Sequence, residues 1–259
     1  MRDLLIVAQK ELREIIGAGG GRRGMVRELV FVGIFGLFFP LSQAEAWRMG
    51  VVPAAFVLLI PLFLVGPHVA DSFAGERERK TLETLLATRL PDAAIFLGKV
   101  LAVCAYAWAV TFLILVASLA TLNVTGAGAP PDLPGFSAPD RGIFLYPAFV
   151  WAAWGLGSAA TSLLLGAIGT FVSLRAKTVR AAAQALTIPI FLMIFGVSAG
   201  FPVVWRSLPE GTRDRLAAIA GTMSPLEFLV GLAVALLLLD AALLWVGVRR
   251  FRRDTLIAG

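Results

Sequence analysis

Charge-poor stretches recur along the whole chain, and they limit its fold more than any other feature. Six stand out: residues 29–44, 49–70, 100–131, 142–174, 181–205, and 227–248 with Asp240 inside it. A segment of that length without charge is stable in water only if it is buried, and a chain of 259 residues has too little polar material to bury six. Hydrophobic residues make up 58% of the chain and charged residues 15%, against roughly 45–50% and 25% in soluble domains. The mean hydropathy of +0.84 comes from the whole length and from no single anchor. The chain reads as a polytopic membrane protein.

Crossing lipid requires each segment to satisfy its own backbone, and no long alternating strand pattern is present, so the segments are expected to be helices. With about 20 residues needed per crossing, the spans fall near 26–44, 50–71, 96–122, 145–173, 181–200 and 225–248. The third and fourth charge-poor stretches are too long for one span each. Pro130, Pro131, Pro134 and Pro139, with Gly126, Gly128 and Gly135, mark residues 126–141 between them as a non-helical connection. The expected fold class is an all-α integral membrane protein with two parts: residues 1–24, an N-terminal interfacial helix and hinge, and 25–259, a six-helix membrane domain.

Assigning every basic residue to a side tests this arrangement. One side receives 18 of the 23 Lys and Arg residues, in residues 2–27, 77–99, 175–180 and 249–253; Arg48, Arg141, Arg206, Arg213 and Arg215 fall on the other. The positive-inside rule makes the first the cytoplasmic side. Both termini are then expected in the cytoplasm. Trp47 and Trp205 sit at expected outer ends and Trp245 near an inner one, as in an aromatic belt. The net charge of +6 orients helices and does not point to nucleic acid.

Leu4, Leu5, Ala8, Leu12, Ile15 and Ile16 recur at helical spacing, so residues 2–16 read as an amphipathic helix lying in the interface. A cleavable signal is not expected, because Lys10, Glu11, Arg13 and Glu14 follow a short apolar patch. Gly17 to Gly24 reads as a flexible hinge; it lacks the spacing of a phosphate-binding loop.

The segment between the second and third spans, DSFAGERERKTLETLLATRLPDAAIFLGK over 71–99, is the most informative. Thr81 to Ala87 is a strong helix former with Leu82, Leu85 and Leu86 on one side and Glu83 on the other. Lying on lipid is one reading of such a helix. The mixed signs of Glu76, Arg77, Glu78, Arg79 and Lys80 suit a protein groove better than an anionic membrane surface.

The run Gly75-Glu76-Arg77-Glu78-Arg79-Lys80-Thr81-Leu82-Glu83-Thr84-Leu85-Leu86, followed by Leu97-Gly98-Lys99, resembles the hallmark of the type-2 ABC exporter permeases. The resemblance extends to Lys10-Glu11-Leu12 in the N-terminal helix and to Val172-Ser173-Leu174-Arg175-Ala176-Lys177-Thr178 after the fourth span. The chain departs from many relatives in carrying Arg89 where they have proline, with Pro91 two residues later. The resemblance implies a coupling helix between spans two and three, with Glu76, Glu78, Thr81, Leu82, Glu83, Leu85 and Leu86 contacting a partner ATPase. It implies a homodimer, or a pairing with a related permease, in a prokaryotic inner membrane. No cofactor is expected on this chain: it contains no GxxxxGK[ST], so ATP and Mg belong to a cytosolic ABC ATPase subunit.

Among other residues, Asp240 lies nine residues before Arg249, roughly 13 Å into the membrane. It is either a contact in the substrate pathway or a carboxyl bonded to a neighbouring helix. His68 reads as interfacial packing. Gly155, Ser158, Ala159, Ser162, Gly166 and Thr170 permit close helix contact in the fourth span. Cys104, the single cysteine, excludes an internal disulfide. The competing classes are an ion-coupled carrier, for which one intramembrane acid is too few; a membrane serine protease built on Ser158, for which His68 lies at the wrong end; and a scaffold that docks a cytosolic partner without transporting.

Overall fold

A computed structural model describes residues 2–19, 22–125 and 143–251. The expected connection over 126–141 and the tail beyond Phe251 lie outside them. Among the described residues all regular structure is helical, and the chain is an all-α membrane protein. In order these are α1 (Arg2–Gly19), α2 (Arg22–Phe31), α3 (Ala44–Arg48), α4 (Val51–Glu78), α5 (Leu82–Leu86) and α6 (Asp92–Val124). The rest are α7 (Ala148–Arg175), α8 (Val179–Ser207), α9 (Glu210–Thr222) and α10 (Pro225–Arg250).

Five of these, α4, α6, α7, α8 and α10, are long and apolar enough to cross a membrane. They coincide with the last five expected spans and run past them, because charge does not end a helix; a cap does. Thus α4 continues through Glu76, Arg77 and Glu78, and Ser224 closes the start of α10 in a capping box with Glu227. The first expected span is shorter: its apolar part is Glu28–Ser42, where α2 passes through a π-helical stretch, Val32–Phe38, into Phe39–Ser42. A π turn frees backbone carbonyls from their usual partners, and Thr121 Oγ1 of α6 donates to Gly36 O at 2.8 Å.

One expectation at the polar ends is corrected. The hinge expected over Gly17 to Gly24 is helical up to Gly19 and again from Arg22; glycine costs a helix about 1 kcal/mol per residue without forbidding it. The stretch 201–224, left outside the expected spans, is mostly helical too: α8 runs on to Ser207 and α9 follows.

Helices α4, α6 and α7 make the centre of the bundle, with Ile60, Leu64, Val65, Val69, Val103, Ala107 and Leu165 packed in one buried cluster. Ser158, Ser162, Gly166 and Thr170 are buried on α7. Ser162 and Thr170 donate to the carbonyls four residues back, which satisfies them without a partner helix and leaves a narrow packing face. Ser158 Oγ donates in the same way to Trp154 O and is wholly buried, so it is no exposed nucleophile. Helices α8 and α10 flank this centre with large apolar faces outward, Leu192 and Phe195 on one and Leu238 and Leu239 on the other.

The structure gathers α1, the 71–99 segment, the α7–α8 connection and the end of α10 at one end of the bundle. These segments carry most of the described basic residues that the sequence assigns to one side. Arg48 lies at the opposite end, donating to Leu122 O at 3.1 Å and stacked over Phe144.

Candidate functional site

The site is the turn from α4 into α5 together with what holds it. Helix α4 is stopped by Lys80, whose backbone is left-handed at φ 59°. The Thr81 N–H bonds Glu76 O at 2.9 Å and the Lys80 N–H bonds Arg77 O at 3.1 Å. This is a Schellman cap, a position that normally takes glycine. It reverses the chain within two residues and aims α5 across the end of the bundle.

Three ties hold this turn. The first runs to the α7–α8 connection: Arg77 donates to Leu174 O at 2.8 Å and also to Ala176 O, and Glu78 accepts from Val179 N at 2.9 Å. A cation on the last carbonyls of α7 and a carboxylate on the first amide of α8 are each on the favoured pole of a helix. The second tie is Ser173, wholly buried, whose hydroxyl accepts from Phe73 N and Ala74 N and donates to Ala70 O at 2.9 Å. The third is a buried ion network in which Lys99 reaches Glu11 and Glu76, each at 2.8 Å. Arg79 and Asp71 pair at 3.1 Å on the surface, where such a bond is worth little.

Within the ERERK run, Glu76, Arg77 and Glu78 are thus taken up by other segments of the chain, whereas Arg79 and Lys80 are exposed. Glu76 is 6% exposed and turned toward Lys99, and Glu78 caps α8. Leu82 is likewise turned inward. It packs with Phe73, Ile95, Phe96, Val100 and Phe251, and Leu85 lies partly buried against the same cluster. Phe73, Phe96 and Phe251 thus offer α5 an apolar floor within the chain, and Leu85 keeps part of its side chain exposed beside it. Glu83, Thr84 and Ala87 are exposed, and Leu86 ends the helix. Thr81 is exposed, with its hydroxyl donating to Glu76 O at 3.3 Å.

A cavity of about 780 Å³ opens between α1 and α5, lined by Lys10, Glu14, His68, Asp71, Thr84 and Leu85 among others. His68 meets the Tyr106 ring edge-on, 4.8 Å between centroids. Burial works to lower the Lys10 pKa, but the carboxylates of Glu11 and Glu14 outweigh it and hold the ammonium above its ordinary value.

Asp240 lies on α10. Ala233, Asp240 and Gly247 are the buried residues of α10, seven apart, and form a seam against α7. The seam is tight: a Cβ at Gly247 would lie 3.2 Å from the Phe171 ring of α7 and 2.4 Å from the Phe96 ring of α6. Asp240 is 1% exposed, and neither carboxylate oxygen has a hydrogen-bond partner among the described residues.

Sequence reasoning placed Lys99, Glu11 and Ser173 inside recurring motifs but assigned them no task. Their signal was a charge or hydroxyl at the very end of an apolar run, where a lone polar group needs a partner from another segment.

Residues 39–233 match the family model described as ABC-2 family transporter protein. The chain is 28% identical over 173 residues to the ABC transporter permease protein NatB of Bacillus subtilis (strain 168). That alignment takes in 61% of this chain and 41% of the relative, so the chain spans less than half the length of the protein it matches. No solved structure matches. The family model takes in well over half of the chain, including the α4–α5 turn and both of its long-range ties to α7 and α8, and the chain belongs to the ABC-2 transporter family.

Proposed function

We propose that this chain is the permease subunit of an ATP-driven exporter, forming the substrate pathway with a second copy or a related permease. ATP and Mg are bound by a separate cytosolic ATPase, since this chain carries no phosphate-binding loop of its own. The first apolar helix, Glu28–Ser42, counts as a sixth span when the adjoining turns of α2 are included. Six spans put both termini on the cytoplasmic face of a prokaryotic inner membrane, with the bilayer covering the apolar faces of α8 and α10.

The single observation that carries this reading is the bracing of the α4–α5 turn. A short helix at the basic end is tied at once to α6, to the α7–α8 connection and, through Phe251, to the end of α10, while Glu83, Thr84 and Ala87 are left outward. A lid or a passive loop has no use for three such ties. A lever does: a push on the outward face, with Glu83 fixing register, is passed by Glu76, Arg77 and Glu78 to four spanning helices, which tilt and alternate access to the pathway. Leu82 and Leu85 serve this lever from inside by seating it.

The test is purification of the tagged full chain from its native membrane. A stoichiometric ATPase is expected, and Glu83→Arg combined with Ala87→Glu should release it while the permease stays folded. A chain that purifies without an ATPase, or an ATPase that survives the double substitution, refutes the reading. Orientation is checked separately: a cysteine replacing Ile143, 79% exposed, should react with an impermeant thiol reagent from outside, and one replacing Arg79 should not.

A further inference from the structure

Lys99 is 1% exposed, and its ammonium donates to three acceptors: Glu11 Oε1 at 2.8 Å, Glu76 Oε1 at 2.8 Å and Ser72 O at 2.9 Å. A lysine has three protons to give, so the site is built to the full capacity of the group. The acceptors come from two other elements, Glu11 from α1 and Ser72 and Glu76 from the last turns of α4. The face of the Phe73 ring lies 5.2 Å from the ammonium and shuts one side against water.

The residue before Lys99 provides the seat for α1. A Cβ on Gly98 would lie 2.7 Å from Val7 Cβ and 3.3 Å from Ala8 N, so α1 rests directly on the backbone of α6 and only glycine fits beneath it. Against α5 there is no such contact: the 780 Å³ cavity lies between them. Both α1 and α5 are seated on the start of α6, and there Lys99 joins α1 to the last turns of α4, which carry α5. One ammonium serves two buried carboxylates, and without it they would repel within reach of a single side chain, which forces apart the elements that carry them.

We propose that Lys99 is a positioning residue that makes the N-terminal helix part of the moving platform. Displacement of α5 passes through Glu76 and Ser72 to Lys99, and from Lys99 to Glu11, so that α1, the α4–α5 turn and the start of α6 shift as one body. The agent of the displacement rests on the function proposed above; the fixed spacing of α1 and α5 does not.

The experiment uses the full chain in lipid nanodiscs with Cys104→Ser, which keeps the donor to Ser162 O, and cysteines replacing Arg13 on α1 and Arg89 just past α5, both exposed. Spin labels on this pair report the α1–α5 distance. Without nucleotide a single narrow distance distribution is expected. Glu11→Leu, which removes the α1 limb and leaves the Lys99–Glu76 pair intact, should lose the narrow peak. Glu11→Gln, which still offers Lys99 an acceptor, should restore it. A narrow peak that persists in Glu11→Leu overturns the proposal.

A second arm adds the co-purified ATPase with and without trapped ATP. The Arg13–Arg89 distance should stay constant while distances from Arg89 to a label at Ile143 change. An Arg13–Arg89 distance that shifts with ATP, with Lys99 and Glu11 unaltered, overturns the one-body movement. If no ATPase accompanies the chain, the permease reading fails, and the nucleotide-free widths still decide whether Lys99 positions α1.

Discussion

Replacing Leu82 with alanine tests the orientation of α5 directly, because an inward leucine and a partner-facing leucine answer differently. Leu82 is 6% exposed and sits against Phe73, Ile95, Phe96 and Phe251. Buried Leu→Ala changes cost about 2–5 kcal/mol, depending on how far the site can collapse. Helix α5 has 5 residues and can relax toward its floor, which places the cost at the lower end, about 2 kcal/mol. In a chain of this size each kcal/mol moves the midpoint by about 2–4 °C, so a fall of about 4–8 °C is expected. Glu83→Ala, on the exposed side, should stay within about 0.5 kcal/mol, or about 1–2 °C. The assay is thermal unfolding in detergent followed by a thiol-reactive fluorophore, since Cys104 is the single cysteine and is buried in the fold. Should Leu82→Ala leave the midpoint in place while Glu83→Ala lowers it, α5 presents its apolar face outward and the lever drawn here is upside down.

Lys80→Gly should stabilise the chain: a side chain at a left-handed position costs about 1–2 kcal/mol, glycine returns about 0.5–1 kcal/mol of that as extra chain entropy, and a midpoint that falls would show the turn is not strained. Ser173→Ala should cost about 1 kcal/mol, because α4 can close its own Ala74-to-Ala70 bond once the hydroxyl is gone; a loss above about 3 kcal/mol by thermal unfolding would mean the amides stay unpaired. For Asp240, whose oxygens have no partner among the described residues, Asp240→Leu should raise the midpoint or leave it unchanged, since an unsatisfied buried polar group costs about 1–3 kcal/mol. A fall in midpoint with Leu, rescued by Asn, would instead assign Asp240 a bond to a neighbouring helix. Lost transport in Asp240→Asn at unchanged midpoint would return it to the pathway.

What the sequence by itself determined is what depends on runs of neighbouring residues. Hydropathy over about 20 residues, the side on which Lys and Arg collect, and the strong helix-forming run at Thr81 to Ala87 are local sums, and lipid enforces them because an unpaired backbone cannot cross it. Five long helices stand where such sums put them, and the basic segments meet at one end. Pairing was beyond such sums. A glutamate at 76 announces a need for a cation, but whether that cation is Lys99 or a partner's arginine is decided by α6 returning beside α4. The apolar side of α5 announces a need for a floor, and the floor is assembled from Phe73, Phe96 and Phe251, residues that only the folded bundle brings together. Asp240 shows the same division: its cost in a membrane is legible from its position in an apolar run, whereas its burial in the α7–α10 seam follows from Ala233 and Gly247, small enough to let two helices close over it.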